Sequence, residues 1–497
     1  AQDPELRAAM QILSAIAAPA YQTDFNLFAV LTMKMVYLTY KHGNTEFAPF
    51  AIGLNAVAHT GVLGMYQSGL EFSQLSRRLV DHLDAGQMRA RAIMLANSFV
   101  THWRTDIRET FEPFLEGARA GMETGDMEYM GYCYHFRTQN QMIAGVPLAE
   151  VEEEMQRYYR ILHNLQQAQP LTVLRCWLQL VTLSRGEGPP GEELSVEYMG
   201  AADLEFIYET QYRTSLGEIH HARAILHFYA DHMDAAREEI RLAHTYDIFV
   251  LGYSSLPHLG MLEALVAVSL ARRGQPRGVR RQVRGILRQL KRWERAAPVN
   301  QRHRVALVEA ELASLRRREQ AALEAYERAY RYAHEGGYLW DEALILQRTG
   351  EYYLHLERSI VAAAYLARAI QTYETWGAPA LAETLRRRHA DLFPEQAVRP
   401  VVEETRAVQL SADAAAAAAP AAGTGEDSLD VGTVLKATRT ISEEIRLERL
   451  LGRMMDMLME NTGARAGALI TQEDDRLWLT ATGQAGEGGQ ALTPAVM

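Results

Sequence analysis

The sequence predicts an all-α protein, a superhelix of antiparallel helical hairpins that is followed by a flexible linker and a truncated α/β domain. Three observations support this fold class. Apolar residues recur with a period of about 3.6 over residues 1–395, small residues recur about every 40 positions, and the composition changes sharply after residue 395. With 48% hydrophobic and 23% charged residues, the chain has the composition of a globular protein, which excludes wholesale disorder.

A regular spacing of small residues predicts the hairpins of the second half. Ala224, Ala267, Ala310 and Gly350 are separated by 43, 43 and 40 residues. Further alanines follow three of these positions after 12 and 19 residues, namely Ala236, Ala243, Ala322, Ala329, Ala362 and Ala369. The two helices of a hairpin need small side chains where their backbones approach closely. The repeat is therefore TPR-like, and it is longer than the usual 34 residues.

Glycines at a similar spacing predict helix ends in the first half. They occur in the pairs Gly43-Asn44, Gly86-Gln87 and Gly125-Asp126. We expect each glycine to end one helix in the left-handed conformation and the Asn or Asp to cap the next helix. Because a single hairpin cannot bury its apolar face alone, the shared period predicts one continuous stack over residues 1–395.

The remaining residues predict a linker and the beginning of a second domain. Residues 396–428 are rich in alanine and proline, and we interpret them as a flexible linker. A helix is expected over residues 429–461, and two strands are expected over residues 466–471 and 477–482. A helix followed by a hairpin makes residues 429–497 a partial α/β domain, because they are too few to complete one.

The expected helix at 429–461 also predicts a mode of self-association. Val434, Ile441 and Ile445 are spaced by 7 and 4 residues and form a short apolar stripe. Such a stripe can pair with its copy in a second chain and form a homodimer. The alternative is that this helix packs on the sheet of its own domain.

The sequence lacks the motifs of several enzyme classes. It contains no Walker phosphate loop, no kinase HRD or DFG motif and no GxSxG nucleophile elbow. Its two cysteines, Cys133 and Cys176, exclude a disulfide framework and are expected to be buried thiols in a reducing cytoplasm. No apolar segment is long enough to predict a transmembrane helix. We therefore expect no catalytic residue, cofactor or metal ion in this chain, and a cytoplasmic location.

One basic segment is the candidate binding site. Ten Lys and Arg residues lie between positions 272 and 295, whereas the whole chain has a net charge of −11. The residues predicted to share a helix face are Arg277, Arg281, Arg284, Arg288 and Arg295. We expect them to dock an acidic protein or a neighbouring domain rather than nucleic acid, because the chain as a whole is acidic. The alternative is an ordinary solvated outer face.

Two segments near the carboxyl end resemble a known family. Residues 435–445, with the sequence LKATRTISEEI, and residues 460–464, with the sequence ENTGA, are similar to the helix and first strand that open the GAF domain of large bacterial signalling proteins. These proteins combine a Ser/Thr kinase, a STAND-type ATPase, a helical region, a GAF domain and a histidine kinase. The resemblance implies that the chain is a piece of such a protein and that ATP belongs to the parent's other domains.

Three functions are compatible with these observations. The first is a non-catalytic sensor and coupling region that binds a protein partner or a neighbouring domain in its concave groove and relays its state towards a GAF and kinase output. The second is an integral part of a kinase or ATPase enzyme whose catalytic domains lie outside this chain. The third is the helical sensor of a MalT-like transcriptional activator, which would require a DNA-binding helix-turn-helix elsewhere.

Overall fold

The computed structural model describes residues 3–186, 201–210, 212–274 and 278–393, together with three strands near the carboxyl end. The backbone groups into two units, a helical one formed by residues 1–163 and 167–397 and a second one that contains the strands. The helices of the described residues are α1 (Pro4–Thr23), α2 (Phe25–His42), α3 (Ala48–Val57), α4 (Tyr66–His82), α5 (Arg89–Phe99), α6 (Phe111–Thr124), α7 (Met127–Ile143), α8 (Leu148–Asn164), α9 (Ala168–Arg185), α10 (Ala201–Thr210), α11 (Arg213–Tyr229), α12 (Met233–His244), α13 (Leu256–Arg272), α14 (Val279–Ala296), α15 (Pro298–Leu315), α16 (Glu319–Glu335), α17 (Leu339–His355), α18 (Ser359–Trp376) and α19 (Pro379–Arg388).

Two of the three glycines that were expected to end helices do so. Gly43 follows α2 with a φ angle of 90°, and Gly125 follows α6 with a φ angle of 79°. The expectation for Gly86 is wrong, because α4 already ends at His82. The left-handed residue after α4 is Asp84, and Gly86 instead begins a 3₁₀ turn.

The side-chain caps expected after these glycines do not form. Phe47, and not Asn44, occupies the N-cap position of α3. Asp126 stands at the N-cap of α7, but its carboxylate accepts a hydrogen bond of 2.7 Å from Arg91 Nε instead of one from a helix amide. A charge-assisted hydrogen bond is stronger than a neutral one, so the tertiary contact replaces the local cap.

The small residues of the second half lie at helix crossings, as the spacing predicts. The hairpins pair α11 with α12, α13 with α14, α15 with α16 and α17 with α18. Ala310 on α15 and Ala322 on α16 are fully buried. A Cβ atom on Gly350 would lie 2.7 Å from Leu366 Cγ and 3.2 Å from the carbonyl oxygen of Ala362. The absence of a side chain at Gly350 therefore lets α17 approach α18 closely.

The helices form an inner and an outer row. Each odd-numbered helix from α3 to α15 contacts the next odd-numbered one, so that these helices and α17 form the inner row. Nearly every side chain of α7 is buried, as expected of a helix in this row. Outer helices bury one stripe instead, which in α4 consists of Gly69, Ser73, Ser76 and Val80. The core therefore follows the inner row through the helical unit.

Contacts between the first half of the helical unit, α1 to α9, and the second half, α11 to α19, bury the inner row. The indole Nε1 of Trp103 donates a hydrogen bond of 2.9 Å to the carbonyl oxygen of Gly252. The indole of Trp376 donates one of 3.0 Å to the carbonyl oxygen of Val146. Helix α19 also contacts α9. These contacts join segments that are more than 100 residues apart in the sequence, so the stack closes on itself.

The side chain of Asn300, near the start of α15, forms four hydrogen bonds with groups outside its own helix. Its Nδ2 atom donates to the carbonyl oxygens of His102 and Thr105, at 2.7 and 2.8 Å. Its Oδ1 atom accepts from the backbone amide of Ile107 at 3.1 Å and from the Tyr338 hydroxyl at 2.9 Å. One side chain thus satisfies polar groups from three separate parts of the unit.

This closure alters where a partner can bind. The sequence suggested an open concave groove, but the inner helices α7 and α11 are buried by the opposite half of the same unit. An open groove along these helices is therefore wrong for the residues that the structure describes.

The second unit contains an antiparallel sheet in the order β1-β2-β3, formed by Ala466–Glu473, Arg476–Gln484 and Gly488–Val496. Ala466 lies opposite Gln484, and Trp478 lies opposite Val496. Strands β1 and β2 cover the two segments expected to be strands, whereas β3 was not predicted. The linker at 396–428, the helix at 429–461 and the homodimer through that helix lie outside the described residues. The GAF domain stays a prediction.

Candidate docking site: an arginine-rich cleft

Helix α14 separates apolar and basic residues onto opposite faces. Val283 and Leu290 are buried and hold the helix against α13 and α15. The exposed face carries seven basic side chains: Arg280, Arg281, Arg284, Arg288, Lys291, Arg292 and Arg295. At 100° per residue these seven positions fall within about a third of the helix circumference, centred opposite the buried stripe. The helix is therefore amphipathic with a basic outer face.

Four of the five arginines that the sequence singled out lie on this face. Arg281, Arg284, Arg288 and Arg295 are exposed on α14, and Arg277 lies outside the described residues. The Nε atoms of three of them donate to the carbonyl oxygen four residues earlier, at 3.1 Å for Arg284, 3.4 Å for Arg288 and 3.3 Å for Arg295. These bonds direct the guanidinium groups along the helix and leave their outer nitrogens available.

The basic face of α14 has few carboxylate partners. Lys291 Nζ lies 2.5 Å from Glu309 Oε1, and Arg280 donates a hydrogen bond to the carbonyl oxygen of Leu315. The other five basic side chains of this face form no ion pair with any acidic residue that the structure describes. This contrasts with α12, where Arg237 pairs with an aspartate and Arg241 with a glutamate of the same helix.

The lower part of this face opens into a cleft between α14, α15 and α16. The cleft has a volume of about 830 Å³. Its lining residues are Gly285, Arg288, Gln289, Lys291, Arg292, Glu294, Arg295, Arg302, Val305, Ala306, Glu309, Arg328 and Tyr332. Six of these side chains are basic and two are acidic, so the cleft is strongly positive. Arg281 and Arg284 lie on the same helix face but outside the cleft.

Sequence reasoning missed the residues that α15 and α16 contribute. Arg302, Arg328 and Tyr332 belong to the next two helices and not to the basic segment. The guanidinium of Arg302 lies over the Tyr332 ring, 4.5 Å from its centroid. This cation–π contact holds the Arg302 side chain across one wall of the cleft. The hairpin repeat was the signal that could have found these residues, because it places consecutive hairpins side by side.

The two acidic residues of the cleft are in different environments. Glu309 bridges two cations, since its Oε2 atom lies 3.0 Å from Arg328 Nη2 and its Oε1 atom contacts Lys291. Burial and the nearby charge of Glu309 raise the pKa of Glu294, which Lys291 partly offsets. Lys291 and Arg328 pair with Glu309, and Arg302 lies 3.5 Å from Glu335. The cations of the cleft that pair with no acidic residue among those described are Arg288, Arg292 and Arg295.

The cleft offers recognition chemistry rather than a reaction centre. Arginines present several donors that match carboxylates in a bidentate geometry. The Tyr332 ring forms most of the apolar floor of the cleft, because Val305 and Ala306 are each only 3% exposed. An extended segment that combines acidic and apolar residues fits this combination of donors and floor.

Other predicted features were checked over the described residues. Cys133 and Cys176 are buried, as expected, and burial raises the pKa of the Cys133 thiol. In the described part of the chain, no group of three or more His, Cys, Asp or Glu side chains is arranged to hold a metal ion. None of the helices described is both long and apolar enough to cross a membrane.

Comparisons with known proteins give little further information. No protein-family model matches the chain, and no curated protein matches it either. Among solved structures, the chain is similar to a "Circular tandem repeat protein with novel repeat topology and enhanced subunit contact surfaces". The identity is 13%, the match covers 78% of this chain and 95% of the other, and the TM-score is 0.18.

Proposed function

We propose that this chain is a non-catalytic sensor and coupling region of a multidomain signalling protein, and that its arginine-rich cleft docks an acidic segment of a protein partner or of a neighbouring domain. In this proposal the helical unit holds that segment on its outer face and passes its state towards a GAF and kinase output. ATP serves the other domains of the parent protein, and the chain itself needs no cofactor.

The proposal depends mainly on the distribution of charge around α14. Five basic side chains of its outer face form no ion pair with any residue the structure describes, and Arg288 and Arg295 meet Arg302 and Arg328 in one cleft. A purely solvated face would be expected to carry interspersed acids, as α12 does. The apolar floor favours a protein segment over a nucleic acid, whose backbone offers phosphates alone to such a face.

Binding of an acidic peptide to the full chain tests the proposal. The probe is a fluorescein-labelled 12-residue peptide of alternating Glu and Leu, followed by fluorescence anisotropy. The double variant Arg288→Glu/Arg295→Glu should weaken binding at least about tenfold, because two carboxylates then face the peptide. Raising the salt concentration should weaken wild-type binding as well.

A matched control separates a local site from net charge. Arg237→Glu/Arg241→Glu makes the same change in charge on the outer face of α12, where both arginines are exposed. This variant should bind the peptide within about twofold of wild type. An equal loss of binding in both double variants overturns a specific site, and tighter binding of a 20-base-pair DNA duplex than of the peptide overturns the choice of partner.

A further inference from the structure

A cavity lies among the inner helices of the helical unit. Residues of α1, α2, α3, α5, α7, α9 and α11 line it, together with Tyr253. The cavity has a volume of about 70 Å³. A buried water needs only about 10–15 Å³, so the space exceeds the need of one water several-fold. An engineered apolar cavity that binds benzene measures about 150 Å³, so the walls of this one have to adjust to admit a single ring.

Aromatic side chains dominate the lining. Four phenylalanines and four tyrosines line the cavity, among them Phe50, Phe99 and Phe136, which are almost completely buried. The Phe99, Phe136 and Tyr253 rings contact one another edge to face or tilted. Walls of this kind favour a flat apolar ligand, which can form edge-to-face contacts with the rings.

Two polar side chains of the lining have unused hydrogen-bonding groups. His135 on α7 is 1% exposed and Ser215 on α11 is 0% exposed. Both ring nitrogens of His135 and the Ser215 hydroxyl have no hydrogen-bond partner among the described residues. Gln22 and Thr214, which also line the cavity, satisfy one another through a bond of 2.9 Å. Buried polar groups normally have partners, so these two point to a ligand.

The charge of the site limits the class of ligand. No lysine, arginine, aspartate or glutamate is among the described residues that line the cavity. Burial lowers the pKa of His135 to about 3, so the imidazole is neutral at pH 7. A carboxylate or an amine would lose its hydration there without gaining an opposite charge. A neutral imidazole offers one donor and one acceptor, which complement a hydroxyl group.

The lining of the cavity is least buried between α1, α7 and α9. Gln22, Tyr132 and Gln169 are half-buried, whereas the residues deeper in the cavity are buried. We propose that this cavity binds a small, neutral aromatic molecule that carries one hydroxyl group, with His135 and Ser215 as the residues that recognise the hydroxyl. The site is independent of the arginine-rich cleft, because the two share no residue.

The test measures binding of 4-fluorophenol and fluorobenzene to the full chain by ¹⁹F NMR titration. Wild type should bind 4-fluorophenol saturably at one site, and about fivefold or more tightly than fluorobenzene, because one hydroxyl hydrogen bond distinguishes the two probes. His135→Phe and Ser215→Ala should each weaken 4-fluorophenol binding about fivefold and leave fluorobenzene binding nearly unchanged. The anion 4-fluorobenzoate should not bind.

Matched controls use two other buried residues with unused polar atoms. His102 Nε2 and Ser98 Oγ also have no partner in the described structure, but neither residue lines the cavity. His102→Phe and Ser98→Ala should therefore leave the affinity for 4-fluorophenol unchanged. A larger side chain in the wall, introduced by Val57→Phe, should abolish binding of both probes.

Three results would overturn the proposal. Wild type could fail to bind 4-fluorophenol saturably, which would show that the cavity holds solvent only. Wild type could bind 4-fluorophenol and fluorobenzene equally tightly, which would show that the cavity does not recognise the hydroxyl group. This measurement uses the wild-type protein alone, so it does not depend on whether a variant folds. Finally, the His135 and His102 variants could lose affinity to the same extent, which would place the effect on the fold rather than on the cavity.

Discussion

Gly350 provides a test of the helix crossing between α17 and α18. A Cβ atom there would lie 2.7 Å from Leu366 Cγ, closer than real contacts allow. Gly350→Ala should lower the free energy of unfolding by about 1–3 kcal/mol, because the added methyl group overpacks the crossing. Gly350→Leu adds a larger side chain and should lower it further. Chemical denaturation measures both.

A second glycine supplies the control for this prediction. Gly285 lies within α14, and a Cβ atom on it would meet nothing within 4 Å. Gly285→Ala should raise stability by about 0.5–1 kcal/mol, since alanine loses less backbone freedom in a helix than glycine. The same substitution should thus have opposite effects at the two positions. Equal effects would contradict the assigned crossing.

Glu218 makes the stability of the protein depend on pH. Its carboxylate accepts hydrogen bonds from Gln139 Nε2 at 2.7 Å and from Trp177 Nε1 at 2.5 Å. Burial raises its pKa from 4.5 to about 7 despite these bonds. The folded state therefore holds more protons than the unfolded state between these two pH values. Its contribution to the free energy of unfolding falls as the pH rises from about 4.5 to about 7.

The variant Glu218→Gln should remove this contribution. The wild-type free energy of unfolding should decrease by roughly 3 kcal/mol over that pH range through Glu218 alone, and the variant should lack that part of the slope. Denaturant titrations at pH 5 and pH 8 measure the difference. A variant that keeps the wild-type pH slope would contradict the assignment to Glu218.

For individual residues, the sequence predicted which side chains pack at helix crossings better than it predicted which groups form hydrogen bonds with each other. The positions of Ala310, Ala322 and Gly350 followed from the period, because close helix approach requires small residues whatever else surrounds them. Asp126 was expected to cap a helix and instead binds Arg91, 35 positions earlier. A cap is a local interaction, and a sequence shows no sign of a distant arginine that competes for the same carboxylate.

Helix α15 offers a comparison between two glutamates that each bridge two cations. Glu311 is fully buried, and its oxygens lie 2.7 Å from Arg348 Nε and 2.9 Å from Arg272 Nη2. Burial alone would raise the pKa of Glu311, but the two arginine charges hold it below its usual value. Glu309, on the same helix, bridges Lys291 and Arg328 near the surface.

The two sites should respond differently to the same substitution. Glu311→Gln should lower the free energy of unfolding by about 3–5 kcal/mol, because it leaves buried arginine charge without its carboxylate. Glu309→Gln should lower it by no more than about 1 kcal/mol, since exposed pairs contribute little. Thermal melts of the two variants at neutral pH measure the difference. Comparable losses would mean that burial does not control the strength of these bridges.

The basic outer face of α14 could be predicted from the sequence of that helix alone, but the cleft could not. A helix that alternates Val283 and Leu290 with arginines predicts its own buried and exposed faces. The cleft also needs Arg302, Arg328 and Tyr332 from two further helices. Their approach depends on how hairpins cross, and the period of small residues gives the order of the hairpins without their angles.

Closure of the helical unit predicts that its two halves unfold together. Asn300→Ala removes the hydrogen bonds to His102, Thr105 and Ile107, and each buried group left without a partner costs about 1–3 kcal/mol. Hydrogen exchange followed by mass spectrometry should show loss of protection in α5 and α7 as well as in α15 and α17.

An exposed asparagine is the control for this prediction. Asn26 on α2 is exposed, and Asn26→Ala should change protection only near α2. If Asn300→Ala reduces protection in α15 alone, the two halves are independent, as in an open array of repeats whose stability is a sum over neighbours.

The overall arrangement could be predicted only in part from the sequence. The order of the hairpins followed from the period of the small residues. The contacts of Trp103 with Gly252 and of Trp376 with Val146 did not, because an indole donor and a backbone carbonyl carry no pattern that links positions 149 and 230 residues apart. The sequence therefore suggested an open groove where the structure has a closed interior.

The close approach at Gly145 has a consequence for how such a chain can change in evolution. A Cβ atom there would lie 2.5 Å from the backbone nitrogen of Leu339, so two backbones touch at this point. Arrays of repeats usually lengthen or shorten by duplicating or deleting whole units, since each unit contacts only its neighbours. Here the gain or loss of one hairpin between positions 145 and 339 would separate those backbones. The number of hairpins is therefore fixed by the fold, and descendants can diverge in surface residues more readily than in length.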